Sequence, residues 1–274
     1  MLSVNTNTGA MIALQYLNKT EADMQTTQTH INTGLKVATA KDDGATFAIA
    51  QNMRGNVSGY QAVSDSLNRG VSTVDVALSA GQSISDLLNE LKSKALAAAD
   101  ASLDTASRNA LNADFTALRD QITAIVQNAN FNGTNLVDGS VSSITALASA
   151  DGTKKITVSG IPLKLSGTVV TIKTTSTIST QAKASAMIST INTSVQNVNA
   201  ALAKLAAGSK KFTIQNDFVS KLVDTLNSGI GNLVDADMAQ ESAKLQSLQV
   251  KQQLGVQALS IANAQPQIIL SLFK

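Results

Sequence analysis

The sequence predicts a mainly α fold: a long, coiled-coil-like helical bundle formed by both ends of the chain, with a small β region inserted in the middle. Three observations predict it. Aromatic side chains are only 3% of the 274 residues and tryptophan is missing, so the core is built from small aliphatic groups that suit close helix-on-helix packing. Apolar residues recur at steps of three and four over long stretches near both ends, which is the helical period. Between about Leu136 and Ser179 that period gives way to alternating β-branched and polar residues, the pattern of short strands.

In chain order, Ala10, Leu14, Leu17, Met24 and Ile31 step by sevens, threes and fours up to Gly34, where a glycine predicts a helix stop. A loop-like stretch, GLKVATAKDDGATFAIA, follows. Its Asp42-Asp43 pair stands directly ahead of a helix, where carboxylates cap backbone N–H groups, and is read as a cap rather than as an acid-base pair. From Met53 the steps of three and four run through Tyr60, Leu67, Val74, Gly81, Leu88 and Leu91, averaging about 3.5 residues, a coiled-coil-like seam. A further helix is expected after a cap at Asp104 or Thr105, with Leu111, Phe115, Leu118, Ile122 and Ile125 on its seam and an end at NANFNG. In the β region Asp151-Gly152 is a hairpin signal, and three or four short strands are expected. Helical spacing returns from Ile188 to Leu205, is expected to falter at Gly208-Ser209, and resumes from Phe212 to Leu233. A last helix begins near Asp237.

That last helix contains LQSLQVKQQLGVQALSIANAQPQIILSLFK, which after Lys251 has no charged side chain before Lys274. On a helical period its large apolar residues form two stripes on opposite sides: Leu245, Leu248, Val256, Leu259 and Leu270 on one, Val250, Leu254, Ile261, Ile268 and Leu272 on the other. A helix on the surface of a globule needs one such stripe. The second implies burial by something outside the chain, and the uncharged glutamines and asparagines between the stripes can be buried in an assembly without desolvating charge. Those same polar groups, Gln252, Gln253, Gln257, Asn263, Gln265 and Gln267, exclude a membrane span.

Lys+Arg 21 against Asp+Glu 19 is nearly balanced, and no basic run exceeds Lys154-Lys155 and Lys210-Lys211, so nucleic acid is not an expected partner. There is no cysteine, hence neither a disulfide framework nor a thiolate metal site. The amino end has no positive charge before Lys19 and no apolar run long enough for a signal-peptide core. His30 is the single histidine, which removes His-Glu-x-x-His zinc sites and leaves a serine triad only this residue to recruit; a helix-end role is expected for it. Gly229-x-Gly231 lacks a third glycine and follows helical spacing, so it is not a dinucleotide fingerprint. No catalytic, cofactor or metal site is expected; an enzyme would need metal ligands or a nucleophile-base pair between residues 140 and 185, which hold Asp151 and a few lysines.

Four collinear blocks carry a resemblance. INTGLKVATAKDDGATFAIA (31–50), SLNRGVSTVDVALSAGQSI (66–84), NANFNGTNLVDG (128–139) and NLVDADMAQESAKLQSLQVKQQLGVQALSIANAQPQIILSLF (232–273) resemble the signature blocks of bacterial flagellins. The resemblance implies a structural subunit that self-assembles into the flagellar filament outside the cell, the helical propeller of motility. Its terminal helices would pair as the inner-tube domain D0, residues 1–40 and 235–274. A D1 shell would take 41–234, with the β-rich part at about 136–180. The hook-filament junction protein, which shares the terminal helices, is the alternative. Implied partners are other copies of the chain, a chaperone for the carboxyl segment, a cap protein, hook-filament junction proteins and the flagellar export apparatus.

Together with the stripes, this reading places Leu14, Leu17, Met24, Val250, Leu254, Leu259, Ile261, Ile268 and Leu272 at the polymer interface. The family's exposed hydroxyl-rich runs imply candidate O-glycosylation at Thr174, Thr175, Ser176, Thr177, Ser179 and Thr180. Flagellins that activate the vertebrate Toll-like receptor present two arginines and a glutamate around a leucine. Alignment to NELKSKALAAAD puts those positions on Lys92, Lys94 and Ala95, beside Leu96, a degenerate version of the segment.

Overall fold

The computed structural model describes residues 6–272, with side chains over 6–264. Among the described residues the elements are α1 (Thr8–Thr33), α2 (Gly44–Ala98), α3 (Thr105–Asn128), β1 (Ser143–Leu147), β2 (Lys155–Ser159), α4 (Gln181–Val234) and α5 (Met238–Leu272). The chain divides into two compact units, residues 1–55 with 225–274, and residues 56–224; α2 and α4 contribute to both. The sequence reading set the boundaries at 40/41 and 234/235.

The helix ends follow their capping chemistry. Asn7 accepts from the Ala10 amide at the start of α1, and Gly34 closes it in the left-handed region at φ 71°, its N–H bonded to the His30 carbonyl at 2.8 Å. Asp43 Oδ1 accepts from the Ala45 and Thr46 amides at the start of α2, while Asp42 Oδ2 takes the Ala38 and Thr39 amides. These bonds, with the hydroxyls of Thr39 and Thr46, hold both carboxyls below their ordinary value, as expected when N–H donors favour the charged form. Asp104 caps α3 through the Ser107 amide, and Asp237 caps α5 through Ala239 and Gln240. Arg108 finishes α2 by a different route, donating to the carbonyl of its last residue, Ala98, and to the Asp100 and Leu103 carbonyls of the turn that leads into α3.

In the second unit α2 and α4 run antiparallel over a seam of Val63, Leu67, Val74, Ile84, Leu88 and Leu91 against Ile191, Val198, Leu205, Phe212 and Val219, all buried. Side-chain bonds from Ser64 to Asn216 and from Ser209 to Asp75 fix that alignment. Phe115, Ile122 and Val126 bring α3 onto the same core.

Two expectations are corrected here. The β region has two strands among the described residues, an antiparallel hairpin in which Ser143 faces Ser159 and Leu147 faces Lys155, with Gly152 at φ 71° in its turn. After Gly160 the chain forms no ladder. It lies on the core through Leu163, Leu165, Val170, Ile172 and Ile178, and its amides find other partners: Thr171 N–H donates to Ser194 Oγ, and Ile178 N–H to Asn112 Oδ1. Alternating pattern signals burial of every second residue, and a segment can satisfy that by packing alone. The second correction is at Gly208, where α4 runs on without interruption.

Gly208 is there because the hairpin packs onto it: a Cβ at this position would stand 2.5 Å from Val158 Cγ1. Gly208→Ala is therefore expected to destabilise the protein by about 1–3 kcal/mol, the usual cost of overpacking, and Val158→Ala in the same chain should recover most of it. Urea unfolding checks this. An unchanged midpoint for the single variant would show that the hairpin does not press on α4.

Candidate subunit interface

In the first unit α1 and α5 pair antiparallel. Three side-chain contacts mark the alignment: Asn7 Nδ2 donates to the Ala262 carbonyl at 2.7 Å, Gln252 Nε2 lies 3.5 Å from Glu21 Oε1, and His30 Nδ1 is 3.1 Å from Glu241 Oε1. The last pair is mostly buried. It joins the closing turn of α1 to the opening turn of α5, where the Glu241 carboxylate sits at the helix end whose dipole favours negative charge. Beside it the chain crosses over: Leu35 bridges Asp235, Lys36 N–H donates to the Val234 carbonyl, Ala236 N–H to the Gly34 carbonyl, and Lys36 Nζ to the Asn232 carbonyl. His30 thus takes the helix-end place expected of it, with a fastening contact that the sequence did not signal.

Burial in this unit is graded along the pair. Thr27, Val37, Ile230 and Val234 are buried toward the crossover, and Ala50 on α2 is buried as well. Farther out, α5 turns one side to α1: Leu245 and Leu259 are half-buried and Leu248 is 6% exposed. At Gly255 the helices approach so closely that a Cβ would meet Leu17 Cδ1 at 3.3 Å. The opposite stripe is open: Val250 is 55%, Leu254 64% and Ile261 58% exposed. On α1, Leu14 is 47% exposed, with Met11, Ile12 and Tyr16 also open, while Leu17 and Met24 are half-buried. Ile268 and Leu272 lie outside the residues whose side chains are described. Val256 departs from its expected stripe, at 54% exposed, beside the close approach at Gly255.

The comparisons agree with this architecture. Residues 4–142 match the bacterial flagellin N-terminal helical region and residues 188–273 the C-terminal helical region. Flagellin FljK of Caulobacter vibrioides is 54% identical over 272 residues, covering 99% of this chain and 98% of the relative. The flagellin of Brucella melitensis is 36% identical with both chains fully covered. The chain belongs to the bacterial flagellin family. Among solved structures, a flagellar hook-associated protein from Vibrio parahaemolyticus superposes with a TM-score of 0.59 at 13% identity, covering 71% of this flagellin and all of that chain, which speaks to the fold alone.

The other sequence-predicted positions of this flagellin fall in the second unit. Lys92 is exposed, Leu96 is exposed, and Lys94 donates to Asp114 Oδ2 at 2.7 Å, a pairing that raises its ammonium above the ordinary lysine value. Ala95 is fully buried in the helical core, so its side chain is not on the surface that Leu96 presents. In the hydroxyl run Thr174, Thr175 and Thr180 are exposed, and Ser176, Thr177 and Ser179 are half-buried. The run is clamped to α3: Arg119 Nη1 donates to the Ser176 carbonyl and Asn112 accepts from the Ile178 amide. Thr180 Oγ1 also accepts from the Lys183 amide at the start of α4. Among the described residues no group of three or more His, Asp or Glu side chains is placed to hold a metal, and no helix is long and apolar enough to cross a membrane.

The two sides of α5 separate in a monomer. Leu248→Ala is expected to loosen the α1–α5 pair by about 2 kcal/mol, whereas Leu254→Ala should leave it within about 0.5 kcal/mol. Amide exchange of the purified monomer reads both. Equal loss of protection from the two variants would mean that the covered and open stripes are wrongly assigned.

Proposed function

We propose that this flagellin builds its filament through a face of α5 that a single subunit leaves open. Its role is that of the family, a structural subunit that self-assembles into the extracellular bacterial flagellar filament. The observation that carries the mechanism is the exposure of Val250, Leu254 and Ile261 on a helix whose other side already packs on α1. Fully burying an aliphatic side chain is worth about 1.5–3 kcal/mol, so closing half of each leaves several kcal/mol per subunit to be gained on association. Leu14 on α1 extends the open surface, and Ile268 and Leu272 continue the stripe by sequence spacing.

On this reading residues 1–40 and 235–274 form the inner-tube domain and 41–234 the surrounding shell. The polymer is made of this chain alone or with close relatives, capped and joined to the hook by dedicated proteins. The chain leaves the cell through the flagellar export apparatus, with a chaperone covering the carboxyl segment whose apolar face would otherwise be open. The protein carries no catalytic activity; its one histidine is spent on the α1–α5 fastening. Exposed Thr174, Thr175 and Thr180 are the members of the hydroxyl run best placed for O-glycosylation, which an intact mass above 28.3 kDa would reveal. Activation of the Toll-like receptor is weak, because Lys94 is already paired, Ala95 is buried, and lysine lacks the planar fork of arginine.

Removing residues 250–274 is expected to leave a folded second unit, read by circular dichroism, and to abolish long tubes in electron microscopy under conditions where the full chain forms them. Normal tubes from the shortened chain would refute the mechanism. A full chain that makes only short stubs, or none, would favour the junction protein instead.

A further inference from the structure

The near balance of total charge hides a segregation within the second unit. Residues 139–216 carry eight lysines, no arginine and one carboxylate, Asp151. Residues 65–138 carry nine carboxylates against three arginines and two lysines. Two of these lysines stand without a carboxylate: none lies within salt-bridge distance of Lys204 or Lys211 among the described residues. These two exposed side chains stand two turns apart on α4, beside an open groove of about 620 Å³ formed against Gly160, Ile161, Pro162 and Thr168. Between the two lysines the exposed groove wall carries the small side chain of Ala207, while Gly208 is already covered by Val158.

On the acidic part most carboxylates are already used. Asp75 accepts from Ser209, Asp114 from Lys94 and Asp120 from Arg119, while Asp100, Asp104 and Asp138 hold turns or caps. Asp86 and Glu90 differ. Both are exposed, one turn apart on α2, and Asp86 accepts from its own-helix neighbour Gln82 at 3.3 Å.

We propose that the Lys204–Lys211 groove of one copy docks the Asp86–Glu90 face of a second copy, so that subunits join head to tail through unlike, oppositely charged patches. This rests on the filament reading above. A helical polymer needs a heterologous contact, in which two different surfaces of the same chain meet. One chain that carries a basic groove and a separate acidic face has that pair built in. The flexible four-carbon stems let two ammonium groups converge on carboxylates one turn apart. Complementary charge then sets register and rejects packing of like patches.

The test is the critical concentration for polymerisation of the full chain, measured by sedimentation. Lys204→Glu with Lys211→Glu is expected to raise it by about tenfold or more, and Asp86→Lys with Glu90→Lys likewise. The chain carrying all four reversals should return to within about threefold of the original, because the contact is restored with its signs exchanged. If a reversed chain loses its helical circular dichroism, the neutral pair Lys204→Gln with Lys211→Gln is read in its place, with a several-fold rise expected. Reversed or neutral chains that polymerise like the original would overturn the contact and point the lysines at some other polyanion. So would a fourfold variant no better than either double. Failure of the unaltered chain to form tubes would count against the filament reading itself, and the contact would fall with it.

Discussion

The last helix has more apolar surface than one chain can cover, and that excess governs how the first unit is built. A lone pair of helices can bury one stripe from each partner. In this flagellin the covered stripe of α5 is spent on α1, with Leu248 at the centre and Gly255 letting the backbones close. Charge is kept away from the rest, so that a second burial event can follow without desolvating ions. Near the crossover, where no neighbour is required, the unit instead uses a His30–Glu241 pair and backbone bonds around Gly34 and Val234. Strength is therefore placed at one end of the pair and incompleteness at the other.

The second unit answers a different demand. It closes its own core with α2, α3, α4 and a two-stranded hairpin, and its polar contacts fix alignment: Ser64 to Asn216, Ser209 to Asp75, Arg119 to the Ser176 carbonyl. Glycines at positions 59, 81 and 208 mark where Ala150, Leu202 and Val158 press onto a helix. Such sites need no partner subunit and are complete in a monomer.

Long helices were readable from sequence because their signal is redundant: a seam of a dozen apolar residues survives one Gly208 or one Ser209. Caps at Asp43, Asp104 and Asp237 were readable because capping is local chemistry. The extended run after Gly160 has the alternation of strands without their ladder, since alternation reports which residues are buried and not what the backbone bonds to; here Ser194 and Asn112 side chains take the place of a neighbouring strand. The two stripes of α5 were visible in spacing alone, yet Val256 lies open, because which residues of a stripe meet the partner helix depends on tertiary packing. The partner of His30 lies 211 residues away, beyond any local pattern. Ala95 shows the limit of alignment: a position matched by sequence lies inside the bundle. Charge segregation was in the sequence throughout, but a total of 21 against 19 conceals it.

The central claim is that the open stripe of α5 becomes buried when subunits join. Because the chain has no cysteine, Leu254→Cys supplies a single thiol at the middle of that stripe, and Leu248→Cys a control on the covered side. The decisive measurement is the rate of maleimide labelling in monomer and in assembled filament. The account predicts fast labelling at position 254 in the monomer and protection by at least about tenfold in the filament, with position 248 slow in both. Equal labelling at position 254 in the two states would contradict it.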